Sequence, residues 1–99
     1  MIFGLVVGTV VGTKRADDIR GAKFLLVAQC SSKGEPKAAP MVALDVVGAG
    51  FGELVIVSQG SSARQTEVTK EKPIDAVIVG IVDLVEESGE VVFRKGASR

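Results

Sequence analysis

The sequence predicts an all-β protein, a small closed or nearly closed β-barrel, and three observations carry that expectation. The chain has 99 residues, enough for one small domain spanning 1–99. Valine dominates its apolar runs, and a β-branched side chain favours extended backbone. Five or six such runs, each short, alternate with clusters of glycine, serine and proline, the spacing of strands in a small barrel.

The first run, 2–13, reads as a long strand with Gly4, Gly8 and Gly12 along it. Glycine inside a strand marks a bend or the close approach of another part of the protein, as at a barrel corner. The run is too short to span a membrane, and Lys14-Arg15 follow it, which is the wrong order for a secretory signal. A polar loop begins at Ala16, and KFLLVAQ (23–29) is the second strand. SSKGEP (31–36) has turn composition. The third strand is 41–47, and the fourth, ELVIVSQ (53–59), follows a glycine cluster. AVIVGIVDLV (76–85) is nearly continuous in apolar residues, the pattern of a strand buried on both faces. Ser88-Gly89 makes a tight turn into a short hairpin strand, 90–94. One short helix is expected from Ser62, because Ser62-Ala63-Arg64-Gln65 fits a capping box. That helix ends before Pro73. The last residues, 96–99, form a frayed tail.

The composition excludes several functions. Twelve basic residues balance twelve acidic ones, so no net field draws the chain to a phosphate backbone. Tryptophan and tyrosine are absent; of Phe3, Phe24, Phe51 and Phe93, three lie in apolar runs and read as core, which leaves little base-stacking surface. Cys30 is the only cysteine and histidine is absent. No internal disulfide can form, the usual zinc sites within one chain are ruled out, and the chain suits a reducing cytosol. Hydrophobic residues make up 46% of the chain and mean hydropathy is +0.37. A monomer this small cannot easily hide so much apolar surface, so part of it is expected to face another subunit.

The stretch DVVGAGFGELVIVSQGSSAR (45–64) looks chemical at first sight. Gly48-Ala49-Gly50-Phe51-Gly52 resembles a dinucleotide fingerprint, but a strand follows where a helix must bring its N-terminus to the pyrophosphate, and Glu53 stands where the third glycine belongs. No P-loop lysine follows the glycines. The expected role is a strand-to-strand turn using positive φ. Gly60-Ser61-Ser62 lacks both the nucleophile-elbow pattern and a histidine base; a dyad with Lys70 or Lys72 has nothing to position it, and capping accounts for Ser62. Asp45, Glu53, Asp75 and Asp83 show no pairing pattern for acid–base work and read as salt-bridge, turn or solvated groups. Arg64, among very small residues, can reach a carboxylate on a neighbouring chain. Small residues let backbones approach closely, so Gly48, Ala49, Gly50, Gly60, Ser61, Ser62 and Arg64 are the candidate pore or subunit-seam residues. Gly50→Val is expected to destabilise the protein through a forbidden φ or a clash.

Taken together, D-x-VGAG-x-GE (from Asp45), GS-x-AR (from Gly60) and PIDA-x-I (from Pro73) resemble the small vertex proteins of bacterial microcompartment shells, the family of the carboxysome vertex protein and its ethanolamine-utilisation relative. The opening GTVVGTKRADDIRGAKFLLV is similar too, so the resemblance spans nearly the whole chain. It implies a five-stranded OB-like barrel that assembles as a homo-pentamer with a narrow central pore. It further implies a place in the bacterial cytoplasm, at shell vertices among hexameric tiles. The implied role is architectural, without substrate, cofactor, metal, nucleic acid or membrane. The segment 31–40 is the least family-like part. Two other classes stay open on the residues alone: an OB-like reader of single-stranded nucleic acid, and an enzyme built where two chains meet.

Overall fold

A computed structural model describes residues 1–12, 23–60 and 75–96. Its strands are β1 (Ile2–Val10), β2 (Lys23–Cys30), β3 (Pro36–Asp45), β4 (Leu54–Gln59), β5 (Ala76–Ile81), β6 (Leu84–Glu87) and β7 (Glu90–Arg94). The first five close into a barrel in the order β1-β2-β3-β5-β4, and β6 and β7 pair as a separate two-stranded sheet. Every neighbouring pair in the barrel is antiparallel except β3 and β5, which run parallel at Leu44↔Val77 and Asp45↔Ile78. The all-β, OB-like class expected from the sequence is the observed one. The short helix expected from Ser62 lies outside the described residues.

Alternation along the strands separates the two sides of the barrel wall. Val6, Leu25, Val27, Ala43, Val55, Val57 and Ile78 point inward and pack together, with Ala49 from the loop after β3. Each such valine, leucine or isoleucine contributes roughly 1.5–3 kcal/mol on burial. Gly4 occupies an inward position of β1 because nothing larger fits. A Cβ there would collide with Val27 Cγ1 and come 3.2 Å from Val57 Cγ2. Gly8 lies beyond a register shift between Val6 and Gly8, so the spaced glycines of β1 serve two purposes, interior room and a bulge.

Near its start, at Val77 and Ile78, strand β5 is buried on both faces, as its apolar run predicts; the rest of the strand is half-buried. Ile78 joins the interior, while Val77 packs outside with Leu44, against Phe24 and Val79. The run does not continue to 85, however. The strand stops at Ile81, Asp83 is exposed, and Leu84 opens the hairpin. Ser88 and Gly89 adopt φ of 53° and 82°, the paired left-handed residues of a tight two-residue turn. The hairpin is fastened to the barrel by Phe93, Val82 and Val85, which pack on Leu54, Cys30, Phe3, Leu5 and Ile56. Val82 N donates to Leu54 O at 2.9 Å, and Ser32 Oγ donates to Glu87 Oε1 at 2.6 Å.

Other strand limits differ from the expectation too, β3 stopping at Asp45 and not at 47. β1 ends at Val10, and β3 begins at Pro36, inside the segment read as a turn. Residues 36–40 are exposed and, among the described residues, pair only with β2, an edge position where proline is tolerated.

Candidate functional site

The glycine loop after β3 is a braced turn. Asp45 ends the strand with its side chain only 1% exposed. Its Oδ1 accepts from the backbone N–H of Val47 at 3.1 Å, Gly48 at 3.1 Å and Ala49 at 3.2 Å. Lys23 Nζ lies 3.5 Å from Asp45 Oδ2 and donates to Ala49 O at 3.2 Å. The far side is held by Glu53, whose Oε1 accepts from Gly50 N–H at 2.6 Å. Gly52 N–H donates to Val6 O at 2.9 Å, which ties the loop to β1. The four N–H groups from Val47 to Gly50 are thus taken by the loop's own carboxylates. A phosphate would have to displace two anions to reach them, and β4 follows in place of a helix. This geometry agrees with the turn reading and against a nucleotide cradle.

Glu53 also binds the hairpin. Lys95 Nζ lies 2.7 Å from Glu53 Oε2 and 3.9 Å from Asp83 Oδ1. The bond from Lys95, then that from Gly50 N–H, holds the Glu53 carboxyl below the usual glutamate range. The same bond raises the Lys95 ammonium above its ordinary value. Asp45, Glu53 and Asp83 therefore act as the turn, salt-bridge and exposed groups that their spacing implies. The use of Lys95 was not legible: it lies far along the chain, and nothing local in GASR or VFRK marks a partner.

The candidate residues separate. Gly48 and Gly52 have φ of 77° and 83°, where a side chain is strained. Gly50 does not have positive φ, and a Cβ there would meet only Glu53 Oε1 at 3.6 Å. The expected forbidden φ at Gly50 is thus corrected: the positive-φ positions are Gly48 and Gly52, and among the described residues the first atom of a side chain at 50 meets no clash. Ala49 is 1% exposed and packs in the barrel interior, so only the loop backbone around it is offered outward. Phe51, at the tip, is 82% exposed. Gly60 has φ of 63° and donates to Asp75 O at 2.8 Å. Ser61, Ser62 and Arg64 lie outside the described residues. Among the described residues, no cluster of acidic side chains and cysteine is arranged to hold a metal ion.

The family model described as "Ethanolamine utilisation protein EutN/carboxysome" matches residues 1–83. The bacterial microcompartment shell vertex protein GrpN of Rhodospirillum rubrum is 50% identical over 86 residues, 87% of this chain and 97% of that protein. The structure of Gloeobacter violaceus CcmL superposes with a TM-score of 0.91 at 39% identity, covering 98% of this chain and all (100%) of the other. A structure described as the GrpN pentameric microcompartment shell protein from Rhodospirillum rubrum superposes with a TM-score of 0.79 at 49% identity, covering 88% of this chain and 99% of that one. With identity this high across nearly whole chains, and a closed barrel of the same shape, the chain belongs to the EutN/carboxysome family of microcompartment shell vertex proteins.

Proposed function

We propose that this chain is a structural shell protein whose homo-pentamer caps the vertices of a polyhedral bacterial microcompartment in the cytoplasm. The observation that carries the reading is the match to a pentameric shell protein at 49% identity over 99% of that protein's length. Near-complete coverage leaves no extra domain in that relative to account for its assembly.

The geometry supports an architectural role. Among the described residues, the glycine loop after β3 spends its polar groups on itself, and the hairpin is fixed to the barrel by apolar packing and an ion pair. The partners on this reading are hexameric shell tiles, and neither nucleic acid nor a membrane is required. Catalysis plays no part in it.

Hexagonal tiles alone cover a plane, and closing a shell requires pentagons. Shell genes expressed without this chain should therefore give sheets, tubes or particles open at their corners. Adding the chain back in small proportion should give closed particles that exclude a dye. Electron microscopy with a dye-entry assay reads both results. Shells that close and seal equally well with no vertex protein present would overturn the assignment.

A further inference from the structure

A ring of identical subunits is held by heterologous contacts: one patch on each subunit meets a different patch on the next. The barrel carries two outward apolar patches on opposite sides. The first is centred on β2. Because Leu25 and Val27 point inward, Leu26 points out, and its cross-strand partners Gly8 and Val42 share that face. Val42 is 51% exposed, and Leu26 and Gly8 are half-buried. In the neighbouring outward row Val10 and Phe24 are half-buried, while Leu44 is buried against Val77 within the protomer, and none of these positions carries a charge. An antiparallel sheet that ends in solvent alternates apolar and polar side chains; this face does not.

The second patch lies on β4 and β5 with the start of β1. Ile56 pairs with both Phe3 and Gly80. Met1, Ile2, Phe3 and Ile56 line an apolar hollow of about 180 Å³, with Met1 85% exposed at its rim and Phe3 and Ile56, which also carry the hairpin cluster, half-buried. In the closed order β1-β2-β3-β5-β4, strand β2 stands across the barrel from the β5–β4 pair.

Each patch contains a strand glycine that no clash among the described residues requires, Gly8 beside the bulge of β1 and Gly80 in β5. A Cβ on Gly8 would make only ordinary contact with Leu26, at 3.7 Å, and one on Gly80 only with Ile56 Cδ1, at 3.8 Å. Neither has positive φ. Gly4, by contrast, is forced by the interior. Glycine on an outer sheet face where a Cβ would meet no clash among the described residues fits the close approach of another chain.

We infer that the β2 face of one protomer, bearing Gly8, Leu26 and Val42, packs against the β4–β5 face of the next, bearing Met1, Phe3, Ile56 and Gly80. The occupant of both faces is a second copy of this chain. The inference rests on the proposed ring and names its seam. Of the exposed large apolar side chains it places Met1 and Val42 in the seam, and it leaves Phe51 at the loop tip and Leu84 and Val91 on the hairpin outside it.

The test is cross-linking in the otherwise native chain. Val42→Cys and Gly80→Cys, singly and together, are treated with a short bismaleimide and run under denaturing conditions. The double variant should give a ladder ending at the five-subunit species. Each single variant should stay monomeric, as should wild type, whose Cys30 is buried. Dimers from a single variant would mean that the face meets itself, which overturns the pairing. Native mass spectrometry separates the two levels of the argument. A five-subunit mass without a ladder from the double variant overturns the seam and leaves the ring standing; a stable wild-type monomer overturns the ring itself. As a second reading, Val42→Asp should raise the concentration at which the ring dissociates at least about tenfold. The protomer should keep its β circular dichroism, because residue 42 is exposed. An unchanged dissociation concentration counts against the seam.

Discussion

Gly4 and Gly8 sit four residues apart on one strand and answer to opposite demands. Gly4 leaves room for Val27 and Val57 inside the barrel, whereas Gly8 faces away from it. Alanine at the two positions should therefore act differently. Gly4→Ala inserts a methyl into a closed interior and should cost about 1–3 kcal/mol of protomer stability, read as a lower thermal midpoint. Gly8→Ala should leave the protomer midpoint nearly unchanged. Equal midpoints for Gly4→Ala and wild type would mean that the barrel relaxes around the methyl. The sequence showed that these glycines interrupt a strand, but it could not say which faced inward: the bulge between Val6 and Gly8 shifts the alternation. The loop glycines were legible for a related reason. A strand, not a helix, follows them, and Asp45 and Glu53 stand at the two ends as turn-forming acids. That Ala49 turns inward was hidden, since a small apolar residue in a glycine run has no preferred side.

The hairpin formed by β6 and β7 could be read directly, because Ser88-Gly89 supplies the two left-handed residues that a two-residue turn needs. Its attachment could not, because Phe93 and Lys95 meet partners distant in sequence. That attachment should respond to pH in a defined direction. The Glu53 carboxyl is held below its ordinary value, so its stabilising effect is complete above that value and is lost as pH falls through the folded one. The Lys95 ammonium is held above its ordinary value, so its effect is complete below that value and is lost as pH rises through the folded one. Between these limits the contribution is flat. Thermal midpoints of wild type and Glu53→Gln should differ by a constant amount near neutrality and converge as the solution is acidified below about pH 4. A difference that persists undiminished at pH 2 would show that the amide change acts through packing and not through charge. The proline-bounded start of β3 is the element that composition misread. Proline is tolerated in an edge strand, and among the described residues 36–40 have a partner on one side alone.

At the scale of the molecule, an OB-like barrel invites comparison with readers of single-stranded nucleic acid, and one exposed phenylalanine, Phe51, stands on its surface. A stacking platform needs several aromatic rings along a positive groove. Here the net charge is zero, so few counterions are released on binding. Fluorescence anisotropy with a labelled single-stranded oligonucleotide at physiological salt should give at most weak binding. Submicromolar affinity with a steep salt dependence would restore the nucleic-acid reading. The class of fold was legible because patterning alone specifies short strands. Which residues would meet another chain was not, since a face covered by a partner and a face covered by the protein's own loops carry the same apolar pattern.

The closure of the barrel also governs the order in which the chain can fold. Strand β1 is completed by β4, through pairs such as Ile2↔Val57, and β3 is completed by β5 through Leu44↔Val77. During synthesis the first strand therefore leaves the ribosome well before its second neighbour exists, and β3 keeps an open edge until β5 is made. Only the β1–β2–β3 meander can form early. Because most of the closing contacts join distant parts of the chain, refolding should take milliseconds to seconds, slower than in a helical domain of equal length. Until β4 docks, the side of β1 that receives it is unpaired, and nascent chains crowded on one messenger can join through it. Expression temperature and translation rate should consequently govern the yield of well-formed protomers more strongly than the stability of the finished barrel would imply.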